Sequence, residues 1–372
     1  MCKLNYIIAQ HSILPGAAQL KSYIKLLEKE KVAVVANQGS FVYPDTHLID
    51  TLISLKVNIV KVFSPEHGFR GDADAGERIA NQKDLKTGLL IHSLYGSNKK
   101  PSKESLDGLS VLLFDLQDVG VRFYTYLSTL HYVMEACAEN RIPLIVLDRP
   151  NPNAHYIDGP LLEEDCKSFV GMHPVPIVYG MTIGEYAKMI NGEGWLKEGI
   201  KCDLVVIPIK NYTHQTVYDI PTRPSPNLPN ANSIALYPSL CLFEPTVISV
   251  GRGTEMQFQI YGHPELPLTK FSFTPRPNYG SKNPKLKNQL CHGVDLRRYK
   301  RPNKIELQWL IQAHKDFPNK TLFFKKGFNR IAGNKTLEEQ LVKGLSEQQI
   351  RKTWQRDLDK FKKIRKKYLI YP

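Results

Sequence analysis

Residues 31–37 read "KVAVVAN", a short run dominated by Val and Ala that is followed at once by a polar turn. Similar runs, rich in Val, Ile and Leu, recur at 57–63, 87–96, 110–116 and 142–149. Short apolar runs of this kind are typical of strands that are buried on both faces of a parallel sheet. They therefore predict the core of an α/β domain.

Helical patterns lie between these runs. The segment "AAQLKSYIKLLEKE" precedes the first run, and "DTHLIDTLISLK" and "YTYLSTLHYVMEACAEN" separate later ones. The pair "TIGEYAKMINGEGWL" and "CDLVVIPI" adds one more helix and strand. Regular alternation of strand and helix predicts a doubly wound, mostly parallel sheet with helices on both faces.

The pattern changes after about residue 210. Prolines cluster in "IPTRPSPNLPNANSIALYPSL", and "TEMQFQIYG" and "KFSFTPRP" alternate apolar and polar residues as half-exposed strands do. Helical patterns return near the C-terminus, where Ser346 is predicted to be the N-cap of a long final helix. We therefore predict two domains, an α/β domain over 1–210 and a smaller α+β domain over 211–372.

Composition narrows the function classes. The chain has 372 residues, of which 42% are hydrophobic, with a net charge of +14. The sequence contains no run of 18 or more apolar residues, so it predicts no membrane-spanning helix. Helix-turn-helix, RNP and zinc-finger patterns are absent from the sequence, so we interpret the basic C-terminal run as a solvated helix face rather than a nucleic-acid site. The six scattered cysteines argue against a disulfide framework and against structural zinc.

The predicted strands are followed by polar, aromatic and Gly-rich loops. In an open parallel sheet, ligands bind beyond the carboxyl ends of the strands, so these loops predict the site. The longest, "FSPEHGFRGDADAGE", spans 63–77. The candidate residues in strand order are Asn37, then Glu66, His67, Arg70 and Glu77, then Asp118, Arg122, Tyr124 and Tyr126, then Arg149 and Asn151.

Several common sites are excluded by their signatures. The loop at Asn37 lacks the GxGxxG pattern of dinucleotide sites, and the phosphate-binding pattern GxxxxGK[ST] occurs nowhere. The GxSxG elbow of serine hydrolases is also missing. The sequence therefore predicts that the sheet binds neither NAD nor ATP in the usual way.

Glu66 and Glu77 lie eleven residues apart in one loop. Paired carboxylates perform glycoside hydrolysis, where one of them protonates the leaving oxygen. Alternatively, either Glu could form an ion pair with Arg70 or Arg78. His67 could orient the site, act as a base or bind a metal with Asp72 and Asp74, and we favour the orienting role.

Asp115 and Asp118 follow the run at 110–116. We expect Asp115 to cap a nearby turn. Tyr124 and Tyr126 offer aromatic faces that suit a sugar ring, and Arg122 suits an anionic group. The alternative is that these aromatic residues belong to the core and that the arginine lies on the surface.

Several longer motifs occur together in this chain. They are "SPEHGFRG…AGE", "FDLQDVGVRFYTY", "LDRPNP", "GPLLE", "YGMTIGEYA", "SPNLP…LYPSLCLFEPT…SVGRGTE" and "FKKIRKKYLIYP". In this order they resemble the exo-β-N-acetylmuramidase family, glycoside hydrolase family 171, formerly a domain of unknown function. The resemblance covers nearly the whole chain from about residue 32.

The resemblance implies release of terminal N-acetylmuramic acid from the non-reducing ends of peptidoglycan fragments, with no cofactor or metal. It implies a Rossmann-like domain and a smaller domain that together form a cleft. Glu66 is then the expected catalytic residue, with Glu77 as second choice. Arg122, Arg149 and Arg252 are candidates to hold the lactyl carboxylate of the sugar, and the second domain would supply Asn227.

Two alternatives to this function stay open. One is a non-catalytic binding module for anionic cell-wall glycan, which would use the same arginines. The other is a metal-dependent hydrolase that uses His67, Asp72 and Asp74. The resemblance implies a periplasmic or secreted protein. The N-terminal residues form a poor signal peptide, so a cytoplasmic location is the alternative.

Overall fold

The central strand of the molecule is β1 (Val32–Ala36), in which all five residues are buried. The computed structural model describes residues 12–43, 46–65, 69 and 82–372. β1 pairs in parallel with β4 (Ile59–Ser64) on one side and with β7 (Val111–Asp115) on the other. The predicted parallel sheet is thus confirmed at its centre.

Four more strands complete this sheet. They are β5 (Gln82–Lys83), β6 (Leu90–Ser93), β8 (Leu144–Leu147) and β9 (Leu204–Ile207). The order is β5–β6–β4–β1–β7–β8–β9. Among the described strands of this sheet, six are parallel and the edge strand β5 is antiparallel to its neighbour. A hairpin follows β1, formed by β2 (Phe41–Tyr43) and β3 (Thr46–His47).

Helices connect these strands. They are α1 (Leu20–Tyr23), α2 (Leu48–Ser54), α3 (Lys103–Leu106), α4 (Tyr126–Asn140) and α5 (Ile183–Gly192). The predicted helix before β1 is shortened to α1 and flanking 3-10 turns. The Gln19 amide donates to the carbonyls of Leu14 and Pro208, which holds this backbone outside the helical region at the start of α1.

The second part of the chain is α+β. It begins with α6 (Ala231–Leu240) and contains an antiparallel sheet in the order β10 (Ile260–His263), β12 (Cys291–Asp295), β11 (Ser272–Phe273). Its remaining helices are α7 (Leu307–Asp316), α8 (Lys320–Phe323), α9 (Phe328–Ala332), α10 (Thr336–Val342) and α11 (Glu347–Lys366). A single buried apolar cluster joins this part to one face of the parallel sheet.

The final helix is amphipathic. Ser346 caps α11 through a reciprocal capping box with Gln349, which confirms the predicted N-cap. Ile350, Trp354 and Leu358 are buried at four-residue spacing, while most of the lysines of this helix are exposed. None of the described helices is both long enough and apolar enough to cross a membrane.

Candidate active site

A cavity of about 180 Å³ lies between the two parts of the chain, beyond the carboxyl end of β7. Its first wall comes from the start of α4 and the loop before it, and its other wall comes from the second part of the chain. The lining residues are Phe123, Tyr124, Thr125, Tyr126, Val170, Ser225, Asn227, Leu228, Tyr237, Cys241, Glu244, Arg252, Phe258 and Ile331.

Two tyrosines form the wall nearest to the sheet. The rings of Tyr124 and Tyr126 meet edge to face, with their centroids 4.7 Å apart. Tyr124 donates a hydrogen bond of 2.6 Å to the carbonyl of Pro224, and Asn37 donates one of 2.6 Å to the Tyr126 hydroxyl. Because Asn37 directly follows β1, this contact joins the cavity to the carboxyl edge of the sheet.

Arg252 and Glu244 form the charged part of the cavity. The Arg252 Nε lies 3.0 Å and the Nη2 3.0 Å from Glu244 Oε2, and the guanidinium stands over the Phe258 ring at 5.0 Å. Burial would raise the pKa of Glu244, but the charges of Arg252 and Lys285 hold it below its usual value. The pair is therefore ionised, and both side chains keep about a quarter of their surface exposed.

Asn227 brings an uncommitted acceptor to the cavity. Its side-chain amide donates to the carbonyl of Gly280 at 2.7 Å, which fixes the orientation of the group. The Oδ1 atom is buried and has no hydrogen-bond partner within the described residues. A buried acceptor without a partner is costly, so a ligand that donates a hydrogen bond here would gain affinity.

Asp118 lies behind the tyrosine wall and does not line the cavity. One carboxylate oxygen accepts hydrogen bonds from Tyr179 and from the Gly120 backbone, and the other oxygen has no partner in the described part of the chain. Burial raises the pKa of Asp118 to about 6, although these hydrogen bonds oppose the rise. Its charge in turn helps to raise the pKa of the Tyr124 hydroxyl, after burial and the nearby Tyr126.

Arg122 is a structural residue in this fold. It is 1% exposed, and its Nη1 donates to the carbonyls of Pro160 and Val175 at 2.8 Å each. Its Nη2 donates to the carbonyl of Ala332, which joins the two parts of the chain. The Nη1 and Nη2 atoms are therefore committed to backbone oxygens, and Arg122 is not among the described residues that line the cavity.

Arg149 is committed in the same way. Its Nε and Nη2 donate to the two carboxylate oxygens of Asp115 at 2.6 and 2.8 Å, and neither side chain is more than 4% exposed. Both oxygens of Asp115 accept from Arg149, so the described residues show this carboxylate in a buried bidentate pair rather than in the expected turn cap. Asn151 also has internal partners, the carbonyl of Met181 and the backbone amide of Asn153.

The remaining predicted residues lie outside the described residues. These are Glu66, His67, Arg70 and Glu77, together with Asp72 and Asp74 of the metal hypothesis. Within the same loop, Phe69 is buried against the His47 ring at 5.2 Å, and the His47 ring nitrogen lies 2.8 Å from the carbonyl of Asn37. Phe69 therefore packs against a histidine that contacts Asn37, the residue that donates to the Tyr126 hydroxyl.

The sequence analysis missed Glu244, although it lies within the quoted motif "LCLFEPT". The signal that could have found it is an acidic residue eight positions before Arg252, in an otherwise apolar run. A second cavity of about 180 Å³ was also missed, lined in part by Phe63, His92 and Lys100 near the carboxyl ends of β4 and β6. No cluster suited to a metal ion occurs among the residues that the structure describes.

Known proteins resemble this chain along most of its length. The family model described as exo-beta-N-acetylmuramidase NamZ, N-terminal, matches residues 32–232, and the C-terminal model matches 235–371. The peptidoglycan beta-N-acetylmuramidase NamZ of Bacillus subtilis (strain 168) is 38% identical, over 95% of this chain and 89% of that protein.

Two solved structures share the fold. Both are DUF1343 family proteins from Bacteroides fragilis NCTC 9343. One is 44% identical with a TM-score of 0.91, and the other is 29% identical with a TM-score of 0.81. In each comparison the match covers 97% of this chain and 99% of the other. As its motifs predicted, the chain belongs to the exo-β-N-acetylmuramidase NamZ family.

Proposed function

We propose that this protein is an exo-acting β-N-acetylmuramidase that releases terminal N-acetylmuramic acid from the non-reducing ends of peptidoglycan fragments. The observation that carries the proposal is the 38% identity to a peptidoglycan β-N-acetylmuramidase along 95% of the chain. The substrate comes from the cell wall, so we further propose that the protein works in the periplasm or outside the cell.

The cavity supports this substrate. Tyr124 and Tyr126 give the cavity an aromatic lining, which suits a pyranose ring, and Asn227 Oδ1 can accept a hydrogen bond from an acetamido N–H or a hydroxyl group that reaches it. The lactyl carboxylate of N-acetylmuramic acid requires a cation. Arg252 is the one of the three candidate arginines that lines the cavity, so we assign the lactyl group to it.

The proposed chemistry needs one acid. Glu66 protonates the departing glycosidic oxygen while the carbonyl oxygen of the 2-acetamido group attacks the anomeric carbon, so the glycosidic bond breaks and an oxazolinium ring forms. Water then attacks the anomeric carbon and gives its proton to the Glu66 carboxylate, which opens the ring and releases N-acetylmuramic acid. Glu77 is the second candidate for the acid, and His67 orients the loop that carries both. In this scheme residues 1–210 supply the catalytic loop, while 211–372 supply Asn227 and Arg252. No metal or cofactor takes part.

Two aryl glycosides test the proposal. One carries N-acetylmuramic acid and the other carries N-acetylglucosamine, with the same phenol on both. We expect phenol release from the first, a much slower release from the second, and no loss of rate with a chelator. Binding of the muramide without phenol release would instead indicate a glycan-binding module. Loss of the rate with a chelator would favour the metal-dependent alternative.

A further inference from the structure

A further concave surface lies on the α/β domain beside α4, near the cavity between the two parts of the chain but lined by different residues. Its volume is about 390 Å³. We name it the basic aromatic shelf and define it by Lys99, Tyr132, Lys167, Phe169, Trp195 and Lys197. Except for the two exposed lysines Lys167 and Lys197, these side chains are half-buried.

The shelf carries flat aromatic surface. The rings of Tyr132 and Phe169 are nearly parallel, with an interplanar angle of 17° and centroids 6.3 Å apart. The Lys99 ammonium lies 4.7 Å from the centroid of the Phe169 ring. Aromatic faces flanked by cations suit a ligand that combines apolar C–H surface with negative charge, as an acidic pyranose does.

Two of the three lysines of the shelf, Lys99 and Lys197, are available to a ligand, whereas Lys167 forms an ion pair with Glu164 at 2.6 Å. Glu135 is the acidic residue that lines it, and that carboxylate is already engaged by Lys100 Nζ at 2.7 Å and by the Lys197 backbone amide at 2.8 Å. Lys99 has no ion pair with any described residue. Lys197 has only a 4.0 Å contact with the exposed side chain of Glu198.

The shelf lies close to the cavity in the fold. Val170 lines the cavity and the adjacent Phe169 lines the shelf. Along α4, Tyr126 lines the cavity and Tyr132 lines the shelf, which corresponds to about 9 Å of rise along the helix axis. The Ser128 hydroxyl donates to the Phe169 carbonyl at 2.7 Å, so the helix and the 169–170 segment hold the two sites in a fixed relation.

We infer that the basic aromatic shelf binds an acidic sugar of the leaving part of the substrate. This inference rests on the proposed function. In a glycan that alternates N-acetylmuramic acid and N-acetylglucosamine, the terminal acid occupies the cavity and the next carboxylate is on the third sugar. The shelf takes that third sugar, with its ring against Phe169 and Tyr132 and its carboxylate near Lys99 and Lys197.

Two trisaccharides test this inference. They differ only in whether the third sugar carries the lactyl group, and the disaccharide that lacks a third sugar serves as the reference. We expect wild-type kcat/KM to favour the acidic trisaccharide over the neutral one by roughly fivefold, the size of a partly exposed ion pair. Lys99→Gln with Lys197→Gln should abolish this preference and leave the disaccharide rate unchanged.

A matched control removes one charge elsewhere. Lys352→Gln, on the exposed side of α11, should keep the full preference for the acidic trisaccharide. Phe169→Ala should slow both trisaccharides relative to the disaccharide, because it removes the stacking surface and leaves the lysines. If the double lysine variant retains the wild-type preference, or if wild type has none, the inference is wrong.

The failure of the proposed function looks different. In that case the wild type leaves the disaccharide uncleaved. Binding of the two trisaccharides is then measured by the fluorescence of Trp195. The variant Trp195→Phe shows which part of the fluorescence change comes from this residue. A lysine-dependent preference for the acidic sugar would uphold the shelf, and equal binding of both sugars would reject it.

Discussion

Two arginines each pair with a carboxylate, but their surroundings differ. Arg149 lies at the carboxyl ends of the strands of the parallel sheet, and Arg252 lies in the cavity. The Arg149 and Asp115 side chains are 4% and 0% exposed, whereas those of Arg252 and Glu244 are 24% and 28% exposed. The Arg149 guanidinium also donates to the Phe41 carbonyl at 2.9 Å, so the first pair is enclosed by the protein. Burial therefore decides which arginine is free to meet a substrate, and residue type does not.

The largest effect is expected at the buried pair. Arg149→Gln leaves the Asp115 carboxylate buried without a counter-ion, which typically costs about 3–5 kcal/mol of stability. Denaturant unfolding measures this loss. The double variant Arg149→Gln with Asp115→Asn removes both charges and should recover part of it. Unchanged stability in the single variant would contradict the structural role of this pair.

Asp118 is a buried carboxylate that forms no ion pair with a described residue, and it should make the free energy of unfolding depend on pH. The pKa of Asp118 is about 6 in the folded state, against about 3.9 in an unfolded chain. The folded state therefore favours the protonated form, and its stabilising contribution is complete below about pH 4 and is lost as the pH rises through 6. Asp118→Asn removes this titration.

Unfolding free energies measured from pH 4 to 7 test that expectation. Relative to Asp118→Asn, the wild type should lose on the order of 2 kcal/mol across this range. Parallel curves for the two proteins would show that Asp118 titrates with an ordinary pKa in the fold.

The smallest effect is expected at the partly exposed pair of Arg252 and Glu244, and it concerns substrate selectivity. Arg252→Gln should lower the preference for the N-acetylmuramide over the N-acetylglucosaminide by roughly tenfold, since a charge-assisted hydrogen bond to the lactyl group is lost. Stability should change by less than in Arg149→Gln. Arg298→Gln, which removes an exposed charge, is the control. An unchanged preference in Arg252→Gln would mean that another group recognises the carboxylate.

The fold could be predicted from local sequence because its strands are continuous apolar runs. The buried strand Val32–Ala36 and its parallel neighbours could be predicted because each is a short local run of mostly apolar residues. The edge strand Gln82–Lys83 could not be predicted, because two polar residues carry no periodic signal. Family motifs, rather than single residues, predicted the function class.

The roles of the arginines were beyond local sequence. Arg122 donates to carbonyls that lie 38, 53 and 210 residues away along the chain, and no short pattern encodes such contacts. The same holds for Asn227, whose position in the cavity depends on Gly280. The location of Tyr124 and Tyr126 in the cavity could be expected from the sequence, because the loop that follows a central strand is where a parallel sheet binds ligands.

The role of Glu66 as the general acid is the central chemical claim. Its most direct test compares Glu66→Gln with Glu77→Gln on the natural disaccharide and on an aryl muramide with an acidic phenol. Loss of a general acid should slow disaccharide cleavage by roughly 10²–10⁴-fold. The aryl substrate should lose far less, because its leaving group needs little protonation. Glu77→Gln should affect both substrates alike, and a leaving-group dependence in Glu77→Gln but not in Glu66→Gln would contradict the assignment.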